Sequence, residues 1–233
     1  MSIFLFQKGG ESYDFGYDPD IPPLTPGRFD DEFSDGVITG WSITTEDNNF
    51  SLINPGTTRH LSESVAEGYL LMQNVGETEF YKTLTGVSGS DPFTVVVKLD
   101  GYPGNALGSD VSFMVTLVGP ASNVYYQVRI TNYLGNRVRI VYANGGGGAE
   151  GTVLRVSGVR YIMIQHDGNK QLSSWVSANG IGWDQIEDNR YLSSFSSFNK
   201  LCLGMYPSSN TPVVAVDFVR WWDESNIFVI GRT

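Results

Sequence analysis

Residues 124–142 read VYYQVRITNYLGNRVRIVY, and their alternation decides the fold. Tyr126, Val128 and Ile130 fall on one side of an extended chain, together with Val138, Ile140 and Tyr142. Gln127, Arg129, Arg137 and Arg139 fall on the other. A period of two marks a strand with one face in a core. Between the two runs stands TNYLGN, where Gly135-Asn136 accept the positive φ of a tight turn. The stretch is expected to be an antiparallel hairpin whose second face meets water or a ligand.

The same reading extends in both directions. PFTVVVKLDG (92–101) and DVSFMVTLVG (110–119) are the continuous apolar runs of buried strands. VRYIMIQHDGNKQLSSWVS (159–177) is a second hairpin, turned by DGNK. ANGIGWDQI (178–186) holds a further tight turn, and NKLCLGMYP and PVVAVDFVRWWD supply the last strands. NGGGGAEG (144–151) is expected to be a surface loop, because successive glycines leave the backbone unconstrained. No segment carries a 3.6-residue period. Short strands separated by turn residues indicate an all-β, antiparallel two-sheet sandwich or jelly roll.

Composition narrows the partners. The chain has 25 Asp and Glu against 15 Lys and Arg, a net charge of −10. No nucleic-acid partner is expected, since phosphate binding rests on clustered cations. No run approaches the roughly 18 apolar residues of a membrane span, so no membrane insertion is expected. The single cysteine, Cys202, lies in KLCLGMY and is expected to be a buried structural thiol.

The first residues, MSIFLFQKGG, raise a separate question. A secretion signal needs a basic segment ahead of about 7–15 apolar residues, whereas here SIFLF is short and Lys8 follows it. These residues are therefore expected to belong to the mature chain. Residues 11–35 carry Pro19, Pro22, Pro23 and Pro26 without alternation, which favours extended backbone. The chain divides into an extended N-terminal arm (1–28) and a sandwich (29–233). Ile3, Phe4, Leu5, Phe6, Tyr13, Phe15 and Tyr17 make the arm too apolar for a simple linker and make it the candidate docking segment for another protein.

Three stretches together resemble the concanavalin A-like lectin/glucanase superfamily. FDDEFSDGVITGWSI (29–43) is similar to the opening of many members, residues 159–186 to the paired hairpins, and AVDFVRWW (215–222) to the closing strand. The resemblance spans about residues 29–223 and implies a two-sheet jelly roll, without attaching a function. It implies that Trp41, Trp183 and Trp221 pack the core. In several branches an Asp of the closing strand helps to bind calcium. Asp217 matches it, and Asp30, Asp31 and Asp35 would approach if the first and last strands are neighbours. The alternative is an ion pair or hydrogen bond to Arg220 or Arg28. No cofactor is required by this reading, and calcium is a candidate.

The superfamily's glucanases place carboxylates as E-x-D-x-x-E or E-x-D-x-E on one strand, and this chain has no such segment. DDEFSD precedes the first firm strand, and DQIEDN, with Asp184, Glu187 and Asp188, is expected to be a solvated loop. His60 and His166 lack neighbours at metal-ligand spacing and are expected to be surface residues. Sugar binding needs aromatic faces and fixed polar groups. Trp175, Tyr125 and Tyr133, with Arg129, Arg137 and Arg139, form the candidate ligand set; for Trp175 a place in the core is the alternative.

These features lead to an expectation of a non-enzymatic structural or attachment protein of a bacteriophage particle, made in the host cytoplasm. Its arm would dock to other virion proteins, and its lectin-like sandwich would meet host or environmental glycans. A homo-oligomer is compatible with this arrangement. The alternatives are a carbohydrate-binding module of a polysaccharide-processing system at the extracellular surface, or a diverged glycoside hydrolase.

Overall fold

The computed structural model describes residues 5–8, 11–14, 27–31, 33, 40–45, 51–53, 70–73, 78–100, 112–131, 137–156, 158–206, 213–223 and 228–229. The strands begin with β1 (Leu5–Lys8), β2 (Glu11–Asp14), β3 (Trp41–Thr45), β4 (Ser51–Ile53), β5 (Leu70–Gln73) and β6 (Thr78–Ser88). They continue with β7 (Phe93–Asp100), β8 (Ser112–Val118), β9 (Val124–Thr131), β10 (Arg137–Asn144), β11 (Ala149–Arg155) and β12 (Tyr161–His166). The last are β13 (Gln171–Ser177), β14 (Asp184–Tyr191), β15 (Ser197–Tyr206), β16 (Val213–Trp222) and β17 (Phe228–Val229). Among the described residues no helix is long and apolar enough to cross a membrane.

Two seven-stranded antiparallel sheets form a jelly-roll sandwich. The first runs β11-β10-β9-β8-β15-β6-β3, and the second β14-β13-β12-β7-β16-β5-β4. The opening hairpin is β9–β10 in the expected register, with Val138 opposite Ile130 and Arg139 opposite Arg129. Tyr126, Val128, Ile130, Val138 and Ile140 are fully buried against Val95, Val97, Ile162, Ile164 and Val176 of the facing sheet. Alternation therefore did the work expected of it. Each β-branched or aromatic residue on the inner face is removed from water at roughly 1.5–3 kcal/mol per large side chain.

The core carries a ring cluster at one end. Trp221 stacks on Phe93 with ring centroids 4.4 Å apart, and Phe29 meets Trp221 edge-on at 5.0 Å. Phe198 meets Phe93 edge-on at 4.8 Å. Cys202 is buried.

His166 is also in this cluster, which corrects its reading as a surface residue. Its ring is fully buried between Phe93 and Phe198. Nε2 accepts a hydrogen bond from the Lys170 amide at 3.1 Å, so Nδ1 carries the proton and donates to the Asp91 carbonyl at 2.8 Å. A D/G/N turn tightly folded onto the ring explains the difference: the turn is exposed but the last strand residue before it points inward. Burial holds the His166 pKa below its ordinary 6.5. The unfolded chain takes up a proton below pH 6.5 that the folded chain resists, so stability is full above that value and declines as the pH falls towards the lower folded pKa. The thermal midpoint of the wild type is expected to drop between pH 7.5 and 5 more steeply than that of His166→Gln. Parallel pH profiles of the two proteins would refute this.

Two stretches of the expected extended arm are strands. β1 pairs with β2 in a hairpin, with Phe6 opposite Tyr13, and on its other side with β17, with Phe6 opposite Val229. Phe6 and Gln7 thus have strand partners on both sides within the chain. The sequence reading missed β17 because two residues are too few for a periodic signal. Ile3, Phe4, Phe15 and Tyr17 lie outside the described residues. Gly27 and Arg28, assigned by sequence to the arm, join the sandwich. Gly27 packs against the Trp221 backbone, and Arg28 pairs with Asp223 at 2.9 Å.

Candidate functional site

The outer face of the first sheet is polar, and strand pairing fixes its layout. One row crosses β8, β9, β10 and β11 as Met114, Arg129, Arg139 and Val153. The next row holds Thr116, Gln127, Val141 and Glu150, and on the other side lie Thr131, Arg137 and Arg155. The Gln127 side chain donates to Thr116 Oγ1 at 2.9 Å and accepts from Arg129 Nε at 3.1 Å. Arg139 donates to Glu150 at 2.6 Å. Gln127 is only 7% exposed, so its amide is held in one orientation beneath the arginines. Tyr125 lies on the same face, half-buried, with its hydroxyl beside Gly148. Lys200 stands 4.2 Å over the Tyr81 ring farther along the sheet. The result is a rigid field of planar donors, one fixed amide and flanking tyrosines.

Sequence reasoning identified Arg129, Arg137, Arg139 and Tyr125 but missed Glu150 and Arg155. Ala149–Arg155 forms β11, whose first residues, Ala149 to Gly151, fall within the loop expected over 144–151. Tyr133 lies outside the described residues.

Trp175 is on the opposite side of the molecule, so the candidate ligand set divides between two faces. Its neighbours Ser174 and Val176 point into the sandwich, which turns Trp175 to the outer face of the second sheet. There it packs with Phe218 and Trp222 over Val96, Tyr161, Met163 and Trp183. Trp183 is thus buried, as expected, but outside the layer between the sheets, with its indole donating to the Gly180 carbonyl at 3.1 Å. Trp41 and Trp221 do occupy the main core. The Phe218 ring is flanked by Lys98 at 5.6 Å and Arg220 at 5.3 Å. Cations already occupy the environment a sugar ring would need, so this face is the weaker candidate.

The three candidate calcium ligands have separate partners. Asp217 sits at a β-bulge of β16 and pairs with Lys98. Asp30 accepts from the Gly27 and Trp221 amides and lies 3.7 Å from Arg220. Asp31 accepts from Trp41 Nε1 at 2.7 Å and the Phe33 amide at 2.9 Å, with Lys82 at 3.6 Å. Burial pushes the Asp30 pKa up despite those donors. The segment does neighbour the closing strand, as the idea required: Asp31 and Val219 exchange backbone hydrogen bonds. However, among the described residues no three metal-ligating side chains converge. Each of these carboxylates has a cationic side chain beside it. Asp35 lies outside the described residues, as does His60.

DQIEDN belongs to β14 and is no solvated loop. A bulge opposite Leu172–Trp175 and the positive φ of Asn189 disguise its period. Glu187 is 7% exposed and receives two hydrogen bonds from Arg190, at 3.0 and 3.1 Å. Arg190 in turn lies 4.9 Å over the Tyr142 ring, where β14 approaches β10 and β11. Beside it the Tyr126 hydroxyl meets Ser174 at 2.6 Å, and burial pushes the phenol pKa up. This polar stitch seals one flank of the sandwich. At the loop end, Ser88–Ser90, Gly168–Lys170, Tyr191 and Ser196 border an open groove of about 470 Å³.

No protein-family model and no curated protein matches the chain. Solved structures do. The GH43 protein BlXynB of Bacillus licheniformis superposes with a TM-score of 0.60 at 12% identity, over 88% of this chain and 41% of that one. The exoplasmic/lumenal domain of VIP36, in a Ca²⁺/Man2-bound form, gives 0.55 at 9% identity, over 87% and 88%. What the chain shares with these structures is a two-sheet antiparallel β-sandwich. The CBM2 module of the evolved Dit of Lactobacillus casei BL23 phage J-1 gives 0.53 at 10% identity, over 86% and 96%. The chain spans about two fifths of the GH43 protein's length but most of the other two. At these identities the likeness concerns the fold.

Proposed function

We propose that this chain is a non-enzymatic, glycan-binding β-sandwich of a bacteriophage particle, with its site on the outer face of β8–β11. The observation that carries the reading is the hydrogen-bonded series Thr116–Gln127–Arg129 beside Arg139–Glu150 and Tyr125. Hydroxyl-rich ligands are recognised by polar groups whose geometry is set before binding, with aromatic surface at the edge. Two of the matching folds span nearly the same length, one described as a Ca²⁺/Man2-bound form and one as a CBM2 module of a phage Dit. Binding is favoured over hydrolysis because the carboxylates nearest these groups are committed: Glu150 to Arg139, and Glu187 to Arg190. The reading needs no cofactor.

The segment before Gly27 is the proposed link to other virion proteins. Deleting residues 1–14 is expected to leave a sandwich that melts as a unit but fails to join its particle. Normal incorporation would refute the link. A glycan array should reveal ligands for the intact chain. Arg129→Ala is expected to weaken them about fivefold to thirtyfold, the loss of one charge-assisted hydrogen bond, while Trp175→Ala leaves them unchanged. The reverse order would move the site to the opposite face. The second reading is a carbohydrate-binding module of a polysaccharide-processing system; the GH43 protein, which contains this fold as a fraction of its length, favours it. Glycan affinity is common to both, and co-purification with virions separates them.

A further inference from the structure

We infer that the ligand of this face is an acidic glycan, one that bears carboxylate, sulfate or phosphate groups along its chain. The inference rests on the glycan-binding reading and narrows its ligand class. Four of the chain's 15 lysines and arginines share one small area: Arg129, Arg137, Arg139 and Arg155. Pairing places Arg129 directly opposite Arg139, and Arg137 directly opposite Arg155. Arg137 and Arg139 are two residues apart on β10 and therefore face the same way. Directly opposed residues have Cβ atoms about 5 Å apart, where like charges destabilise a sheet.

Such an arrangement is unexpected in a chain of net charge −10. Carboxylates outnumber cations overall, yet among the described residues Arg137 lies directly opposite another arginine, while Arg139 pairs with Glu150. The Nε atoms of Arg137 and Arg139 are both shielded from solvent and have no hydrogen-bond acceptor. A donor that lacks an acceptor costs stability in the free protein. Guanidinium groups match carboxylate, sulfate and phosphate through paired N–H donors, which an ammonium does not reproduce. The four lie across adjacent strands on a rigid sheet, suited to a polymer whose charges recur along its length. The chain's net charge of −10 opposes the same polymer elsewhere, so encounter is focused here. A neutral glycan would leave the repulsion uncompensated.

The test compares intact protein with Arg137→Ala/Arg155→Ala, neither residue being part of the Gln127–Arg129 hydrogen bond. Probes are polygalacturonate for carboxylate, dextran sulfate for sulfate, a poly(glycerol phosphate) teichoic acid for phosphate, and neutral dextran and mannan as uncharged controls. The intact protein is expected to bind at least one acidic probe roughly tenfold or more tighter than the neutral ones, with affinity falling as salt rises. The double variant should lose about tenfold for that probe and melt at or above the wild-type midpoint. Arg28→Ala, whose cation pairs with Asp223 by the other sheet, should behave as wild type. The responding probe identifies the anion. Equal affinity for acidic and neutral glycans, or an acidic affinity untouched by the double variant, overturns the inference and leaves glycan binding standing. Failure to bind any glycan, acidic or neutral, overturns the glycan reading itself.

Discussion

Trp221→Ala is expected to destabilise the protein by about 3–5 kcal/mol, the usual cost of deleting a large buried aromatic. For a chain of this size that is a fall of roughly 6–20 °C in thermal midpoint. The indole is fully buried, stacks on Phe93, meets Phe29 edge-on and donates to Asp223 at 2.9 Å. Its backbone amide is bound by the Asp30 carboxylate, so the same residue ties residues 27–31 to the closing strand. The cavity therefore lies where the opening segment is fastened, and it has little chance of collapsing around the loss. Trp221→Phe should retain about half the stability lost, because it keeps ring contact and gives up the indole donor. Scanning calorimetry of both variants checks this, and a fall of less than about 2 °C for the alanine variant would exclude the central role of this ring.

Glu187→Ala is expected to cost about 2–3 kcal/mol. Removing one member of a buried ion pair costs about 3–5 kcal/mol, and the figure is reduced here because the Arg190 side chain is 33% exposed and partly rehydrates. The carboxylate also holds the Arg190 pKa above its ordinary value. Without it, the guanidinium over Tyr142 would lose its anchor, and the β14 flank would loosen before the core. Hydrogen exchange should show this as faster exchange of β14 amides with β7 and β8 unchanged. Uniform acceleration across both sheets would mean that the stitch supports the whole fold instead of one flank.

The two predictions also mark what the sequence made legible. Inner faces were readable wherever strands alternate without interruption, as at Tyr126, Val128 and Ile130, because burial selects residue type at every second position. Outer-face chemistry was readable on the same strands, since Arg129, Arg137 and Arg139 occupy the intervening positions. Legibility failed at irregularities. The bulge in β14 broke the period around Glu187, and the glycine run concealed the start of β11 with Glu150. His166 was misplaced because exposure was inferred from the adjacent turn instead of from strand parity. Trp175 and Arg129 were grouped because sequence gives parity within a strand but does not say which sheet a strand joins. That assignment arises from long-range pairing, which places β9 and β13 on opposite layers.

The pairing of β1 with β17 has a mechanical consequence. The two strands run antiparallel, and Phe6 lies opposite Val229 and Gln7 opposite Phe228. A pull applied ahead of Leu5 and beyond Val229 would open this ladder one residue pair at a time, from one end. Only after it parted would tension reach the β16 ladder. The short sheet would thus act as a sacrificial clasp: it yields at low force, lengthens the tether and spares the sandwich from the first shock of loading.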